Sequence, residues 1–313
     1  MKKTSKQSMV VAAKPIDALY AKFGDKVKEN VSLAPYTSAR IGGPADIFIT
    51  AGSAAELARI VKFLWKLETP FTMLGGGSNV LVSDRGVRGV VVLNRAKGVK
   101  FLDGDQPSVT AESGVVFSNL ANRCASKGLS GLEWAATVPG TIGGAVYGNA
   151  GAFGGDMAGN VLSAGLLTEN GVETFTVDQM GYGYRTSVLK RGELRAVVLS
   201  AELALKNSTK EEVTVKIQQF GAHRKATQPP GASMGSMFKN PPGDYAGRLI
   251  ESAGLKGARI GNAEISPVHG NFFINHENTK AADIRALIEL AQKTVKEKLD
   301  VELELEVELI GEW

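Results

Sequence analysis

Apolar positions recur along this chain at two periods, and each predicts a different element. Leu57, Ile60, Val61 and Leu64 return at helical spacing behind Ser53 and Glu56, a capping-box pair, so residues 54–67 are expected to form an amphipathic helix. The apolar stretch from Asp46 to Thr50 precedes it, and Phe71 to Leu74 follows and runs into Gly75-Gly76-Gly77-Ser78-Asn79. Strand, helix, strand and glycine loop make a crossover unit.

A second α/β segment is expected from Gly89-Val90-Val91-Val92 into a helix carrying Val116, Phe117, Leu120, Ala121 and Cys124 on one face. Strand-like runs follow at Val172 to Val177 and Leu194 to Leu205, and after Lys206-Asn207-Ser208 the pattern changes. The last third reads as a short helix from Tyr245 to Ala253 closed by Gly254, a strand at Asn271 to Ile274, and a helix from near Thr279 with Ile284, Leu287, Ile288, Ala291 and Val295 inward. Glu302, Glu304, Glu306 and Glu308 then alternate with Leu303, Leu305, Val307 and Leu309, the period of a strand with one acidic and one aliphatic face. A solvated acidic face accounts for Glu302, Glu304 and Glu308, and periodicity alone does not single out one glutamate.

At 313 residues, more than one compact unit is expected. The reading is a flexible tail over 1–19, units over 20–95 and 96–207, and a third over 208–313. Charge nearly balances, at 36 Lys and Arg against 32 Asp and Glu, and no stretch gathers the basic residues into a nucleic-acid stripe. No run of about 18 apolar residues offers a membrane span, and the apolar part of the N-terminus, Met9 to Ala13, is too short for a secretory signal. Cys124 is the only cysteine, so no internal disulfide or paired-thiolate zinc site exists; it reads as core packing in a protein of a reducing compartment, the cytoplasm. His223, His269 and His276 lack metal-ligand spacing, and no metal is expected.

Two regions concentrate glycine. The loop Gly75 to Asn79 offers bare backbone N–H groups to an anion, but Val80 stands where a Rossmann fingerprint needs its third glycine, and a bare turn accounts for it equally well. Val138-Pro139-Gly140-Thr141-Ile142-Gly143-Gly144 and Gly148-Asn149-Ala150-Gly151-Ala152-Phe153-Gly154-Gly155 are denser still. Glycine at that density marks backbone pressed against a ligand or another backbone. Two such loops suggest a pyrophosphate between them, hence a dinucleotide cofactor. Gly231-Ala232-Ser233-Met234-Gly235 matches the G-x-S-x-G elbow of serine hydrolases. Pro229 and Pro230 before it, and Gly235, Pro241, Pro242 and Gly243 after it, deny the strand and helix that elbow requires.

Taken in order, Thr37-Ser38-Ala39-Arg40-Ile41-Gly42-Gly43-Pro44-Ala45, Gly75 to Asn79, Pro139 to Ala145, Asn149 to Gly154, Tyr184-Arg185, Gly235-Ser236-Met237-Phe238-Lys239-Asn240-Pro241 and Glu306-Val307 with Ile310-Gly311 resemble the UDP-N-acetylenolpyruvoylglucosamine reductases over almost the whole chain. The absence of a long tyrosine-bearing insertion between Arg185 and Ser236 resembles their shorter, second subtype. Ala39, Thr137, Gly148 and Glu308 depart from residues common in that family.

The resemblance implies an α/β (α+β) fold: a two-subdomain FAD-binding region of the vanillyl-alcohol-oxidase type plus a small α+β C-terminal substrate domain. It implies FAD, NADPH as co-substrate, a UDP-sugar enol ether as substrate and no protein partner. Its cofactor-binding positions are Arg40, Gly75, Gly76, Gly77, Ser78, Asn79, Pro139, Thr141, Gly143, Gly144, Asn149 and Gly151. By the same resemblance Ser236 supplies a proton, Arg185 pairs with the substrate carboxylate, and Glu306 acts as an acid that stabilises the enol. Tyr184 and Asn240 lie near the substrate, and Arg224 with Gln228 help hold its diphosphate. Burial and neighbouring acids would raise the pKa of Glu306 while Arg185 would lower it, a balance the sequence leaves open. An FAD oxidase of the same broad fold shares the glycine loops, yet has no use for the Ser236 and Glu306 segments.

Overall fold

The computed structural model describes residues 15–313. Helix α1 (Pro15–Phe23) opens the chain, with Leu19 fully buried in the first core. The flexible tail expected over 1–19 therefore fails for residues 15–19, because an apolar anchor docks them; residues 1–14 lie outside those described. The first unit continues through β1 (Val27–Ser32), β2 (Pro44–Ala51), α2 (Ala54–Lys66), β3 (Phe71–Leu74), β4 (Val80–Val82) and β5 (Val87–Asn94).

The expected strand–helix–strand crossover is present, but β5 inserts between its strands. The sheet order is β1-β2-β5-β3, with β5 parallel to both β2 and β3. Helix α2 begins where Ser53 Oγ accepts from the Glu56 N–H, and Glu56 reaches back to the Gly52 N–H. Its buried Leu57, Ile60, Val61 and Leu64 face Ile49, Val90 and Val92. Burying each such side chain stabilises the fold by up to about 1.5–3 kcal/mol.

The second unit departs from the α/β expectation. Strands β6 (Val99–Leu102) and β7 (Ser108–Glu112) join Val161–Thr168, Gly171–Thr176 and Val197–Ala204 in one five-stranded sheet that is antiparallel throughout. Helix α3 (Phe117–Ser126) covers it with Phe117, Leu120, Ala121 and Cys124 buried, and a short α4 (Ile142–Gly148) forms inside the second glycine region. Helix α5 (Lys210–Thr227), capped by Thr209, has only Val213 fully buried, so it leaves little apolar periodicity to read. It packs against α3 and the Glu133–Ala135 turn, with Phe220 on the second core. Residues 208–227 therefore pack with the second unit, and a boundary at 208 cuts through it.

The third unit holds α6 (Ala246–Ser252), a small meander of Arg259–Ile260, Ala263–Ile265 and Phe273–Asn275, and α7 (Ala281–Leu299) with the expected inward face. Its core takes in Ala39, Ile41 and Leu81 of the first unit. Asp84 joins the same two units by accepting from the Ala281 and Ala282 N–H groups at 2.8 and 3.0 Å, at the start of α7. The strand expected over 302–309 is regular only at Glu308–Ile310, which pairs in parallel with β4. Before that the segment pairs irregularly with residues 237–239, the Lys239 N–H donating to Glu304 O and the Glu306 N–H to Met237 O. The change of partner between 307 and 308 interrupts the ladder, although Leu303 and Val307 stay buried and Glu302 and Glu304 exposed.

Candidate active site

The two glycine regions meet. A Cβ built on Gly75 would lie 2.5 Å from Thr141 Oγ1, one on Gly76 2.9 Å from Gly140 Cα, and one on Gly140 2.7 Å from Ser78 Oγ. Backbone at 75–78 is thus pressed against backbone at 140–141, a closeness that any side chain would prevent. Gly77 adopts φ +61°. Among the described residues, the Gly76, Gly77 and Ser78 N–H groups donate to no protein acceptor, which leaves them for an anion.

The second region contributes less amide than its glycines suggest. The Ile142 and Gly143 N–H groups already donate to Val115 O and Ser113 O, and Gly143 is small because Ser113 packs on it. The buried Thr141 lies against the first loop, while Pro139 and Gly144 are exposed. Asn149 is turned to structure: its Nδ2 donates to Gly183 O and its Oδ1 accepts from the Ala158 N–H. Gly151 offers its carbonyl to Arg185. Arg40, at φ +57°, lines a cavity of about 550 Å³ with Gly231, Ala232 and Asn275.

Arg185 is displayed by a tight turn in which Gly183 and Thr186 exchange backbone hydrogen bonds, and its own φ of +56° is a conformation that costs a non-glycine residue about 1 kcal/mol or more. Three contacts fix the side chain so displayed. Nε donates to Glu306 Oε1 at 2.8 Å, Nη2 donates to Gly151 O at 2.8 Å, and the guanidinium lies 5.2 Å from the Tyr184 ring centroid. The ion pair joins residues 121 apart in sequence.

Glu306 is held from its backbone as well. Its N–H donates to Met237 O, the residue after Ser236, and its carbonyl accepts from Asn79 Nδ2 at 3.0 Å. Ser236 itself sits on an extended segment bridged to Phe272, which Asn271 secures by bonding both the N–H and the carbonyl of Phe238. The Asn240 N–H donates to the Tyr184 hydroxyl oxygen at 3.4 Å, and its Oδ1 accepts from the Ala246 N–H. The structure therefore gathers Arg185, Ser236, Glu306, Tyr184, Asn240 and Asn79 at one place. Burial pushes the Glu306 carboxyl above its ordinary pKa, and Arg185, Lys190 and Lys239 offset part of that.

Arg224 and Gln228 end α5. The Arg224 guanidinium donates to Thr137 O, its Nε is buried without a partner, and burial lowers its pKa. A desolvated cation with an unused donor is a receptor for an anion. Ser233 in the hydrolase-like motif lies in irregular backbone with no helix directly after it, the next beginning at Ala246. No group of three or more His, Cys, Asp or Glu among the described residues is arranged to hold a metal, and no helix is long and apolar enough to cross a membrane. Sequence reasoning missed Lys190 and Lys239, because each is an ordinary charged residue until the fold half-buries it beside Glu306.

Residues 226–310 match the family model described as UDP-N-acetylenolpyruvoylglucosamine reductase, C-terminal domain, and residues 45–176 match that of an FAD binding domain. The UDP-N-acetylenolpyruvoylglucosamine reductase of Bacillus velezensis is 44% identical over 91% of this chain and 94% of its own, and that of Bacillus subtilis is 43% identical over the same shares. The crystal structure of the Thermus caldophilus enzyme superposes with a TM-score of 0.77 at 36% identity, covering 90% of this chain and 97% of its own. With these likenesses running through both the glycine loops and the Arg185–Glu306 site, the chain belongs to the UDP-N-acetylenolpyruvoylglucosamine reductase family.

Proposed function

We propose that this chain reduces the enolpyruvyl ether of UDP-N-acetylglucosamine to UDP-N-acetylmuramate for peptidoglycan synthesis, with FAD as cofactor, NADPH as reductant and Ser236 as proton donor. The observation that carries the reading is the Arg185–Glu306 ion pair, locked through Met237 to the segment bearing Ser236. The glycine cradle fits the cofactor: the free amides at 76–78 suit a pyrophosphate, and Ser78 and Thr141 border it. When bound, FAD supplies the hydride that NADPH provides and that ends on C3 of the enolpyruvyl group.

The residues of this chain manage the charge that the hydride creates. Arg185 holds the substrate carboxylate, since two of its nitrogens are committed to Glu306 and Gly151 while its Nη1 remains available for a second acceptor. Negative charge develops at C2 beside that cation, and Ser236 gives C2 its proton, completing a C3–H and a C2–H bond across the former double bond. As the family resemblance implies, Glu306 serves as the acid that stabilises the enol form, and burial shifts its pKa in the direction that role requires. Arg224 with Gln228 helps hold the substrate diphosphate, and Tyr184 and Asn240 lie near the substrate. A single cysteine, with no disulfide to form within the chain, suits a reducing compartment such as the cytoplasm. Ser236→Ala holoenzyme is expected to be reduced by NADPH at the wild-type rate yet to form product on the order of a hundredfold more slowly. Unchanged turnover in that variant removes Ser236 from the mechanism.

A further inference from the structure

Behind the Arg185–Glu306 pair lies a second cluster that the reaction as described does not use. Lys190 Nζ is 3.2 Å from Glu308 Oε1, with the two side chains 17% and 34% exposed. Burial, and after it the nearby Glu308 carboxylate, push the Tyr147 phenol up to about 12. All three positions are fixed by backbone. The fully buried Ser187 donates its hydroxyl to Tyr147 O at 2.7 Å and accepts from the Lys190 N–H at 3.3 Å, tying the end of α4 to the turn that starts at Arg185. Glu308 donates its N–H to Asn79 O at 3.0 Å, which ties it to the first glycine loop. The cluster is thus a rigid joint among three segments of the site, and a flexible surface lysine has become a placed charge.

We propose that Lys190, gripped by Glu308, is a positioning residue: it holds a second fixed positive charge toward the Arg185–Glu306 pair and so governs the protonation state of Glu306. The charged groups acting on Glu306 are Arg185 from its turn, Lys190 from the same turn, and Lys239 from the Ser236 segment, itself paired to Glu304. Glu308 pairs with Lys190, whereas Arg185 pairs with Glu306. Lys190 adds to the cationic field on Glu306, and Glu308 tempers it by holding the ammonium back. Removing one or the other therefore moves Glu306 in opposite directions. The inference deepens the proposed function by taking Glu306 as part of the site, but its electrostatic content is independent of turnover.

The test is the Glu306 titration in the flavin-loaded enzyme, read by NMR of ¹³C-carboxyl-labelled glutamate with Glu306→Gln to assign the resonance, and in parallel the pH profile of kcat/KM. Lys190→Met is expected to raise the midpoint by roughly half a pH unit or more. Glu308→Gln is expected to lower it, the double variant to match Lys190→Met because Glu308 acts through the ammonium, and Lys190→Arg to keep the wild-type midpoint. Midpoints that stay fixed in Lys190→Met and Glu308→Gln, whatever the loss of activity, overturn the proposal and leave the cluster as scaffold. Midpoints that move as expected while Glu306→Gln turns over normally uphold it and remove Glu306 from the reaction instead, so the two readings fail separately.

Discussion

A methyl group added at Gly77 would lie 2.1 Å from the Tyr36 carbonyl oxygen, on backbone already at φ +61°. Gly77→Ala is therefore expected to abolish flavin retention through gel filtration, whereas Gly148→Ala, with nothing within 4 Å, is expected to bind flavin normally and to gain up to about 1 kcal/mol from helix propensity. Density of glycine was readable in the sequence, but which glycines face a ligand was not: Gly143 is small for Ser113, and Asn149 serves the backbone. Glu306 carries a pH signature of its own. Because its pKa is raised in the folded state, the native protein keeps a proton that the unfolded chain releases above about 4.5, and stability falls as pH rises from there through the folded value. Urea midpoints at a pH below 4.5 and at neutral pH are expected to fall less in Glu306→Gln than in wild type. Burial pushes the Cys124 thiol up to about 12, so iodoacetamide at pH 8 is expected to label it only after unfolding.

Elements with a one-sided apolar stripe were legible, as α2, α3 and α7 illustrate. Helix α5 was not, since its amphipathic signal is nearly absent and its length is secured by the Thr209 cap and by docking on the second core. Residues 302–309 teach the converse: the period-two pattern correctly placed Leu303 and Val307 inward, but burial does not specify which backbone the segment pairs with, and it pairs with two. Asp84 has no local signature at all. It caps a helix whose bonded residues lie 197 and 198 positions away in sequence. Asp84→Ala is expected to cost about 1–2 kcal/mol in urea unfolding, with Asp84→Asn recovering part of it.

Across the whole molecule, the site exists only where three units meet. The first supplies the loop 75–79, the second Arg185 and Lys190, and the third Ser236 and Glu306, with the parallel pairing of β4 to Glu308–Ile310 closing the seam. Motif order allowed the family to be read from sequence, and the antiparallel second sheet and the seam contacts required coordinates, because they depend on partners far apart in the chain. The most direct measurement follows the visible flavin absorbance of the purified protein without air. NADPH is expected to bleach it, and addition of the UDP-sugar enol ether is expected to restore it with formation of one equivalent of the lactyl ether. Bleaching that the enol ether does not reverse, or a protein that retains no flavin, contradicts the account.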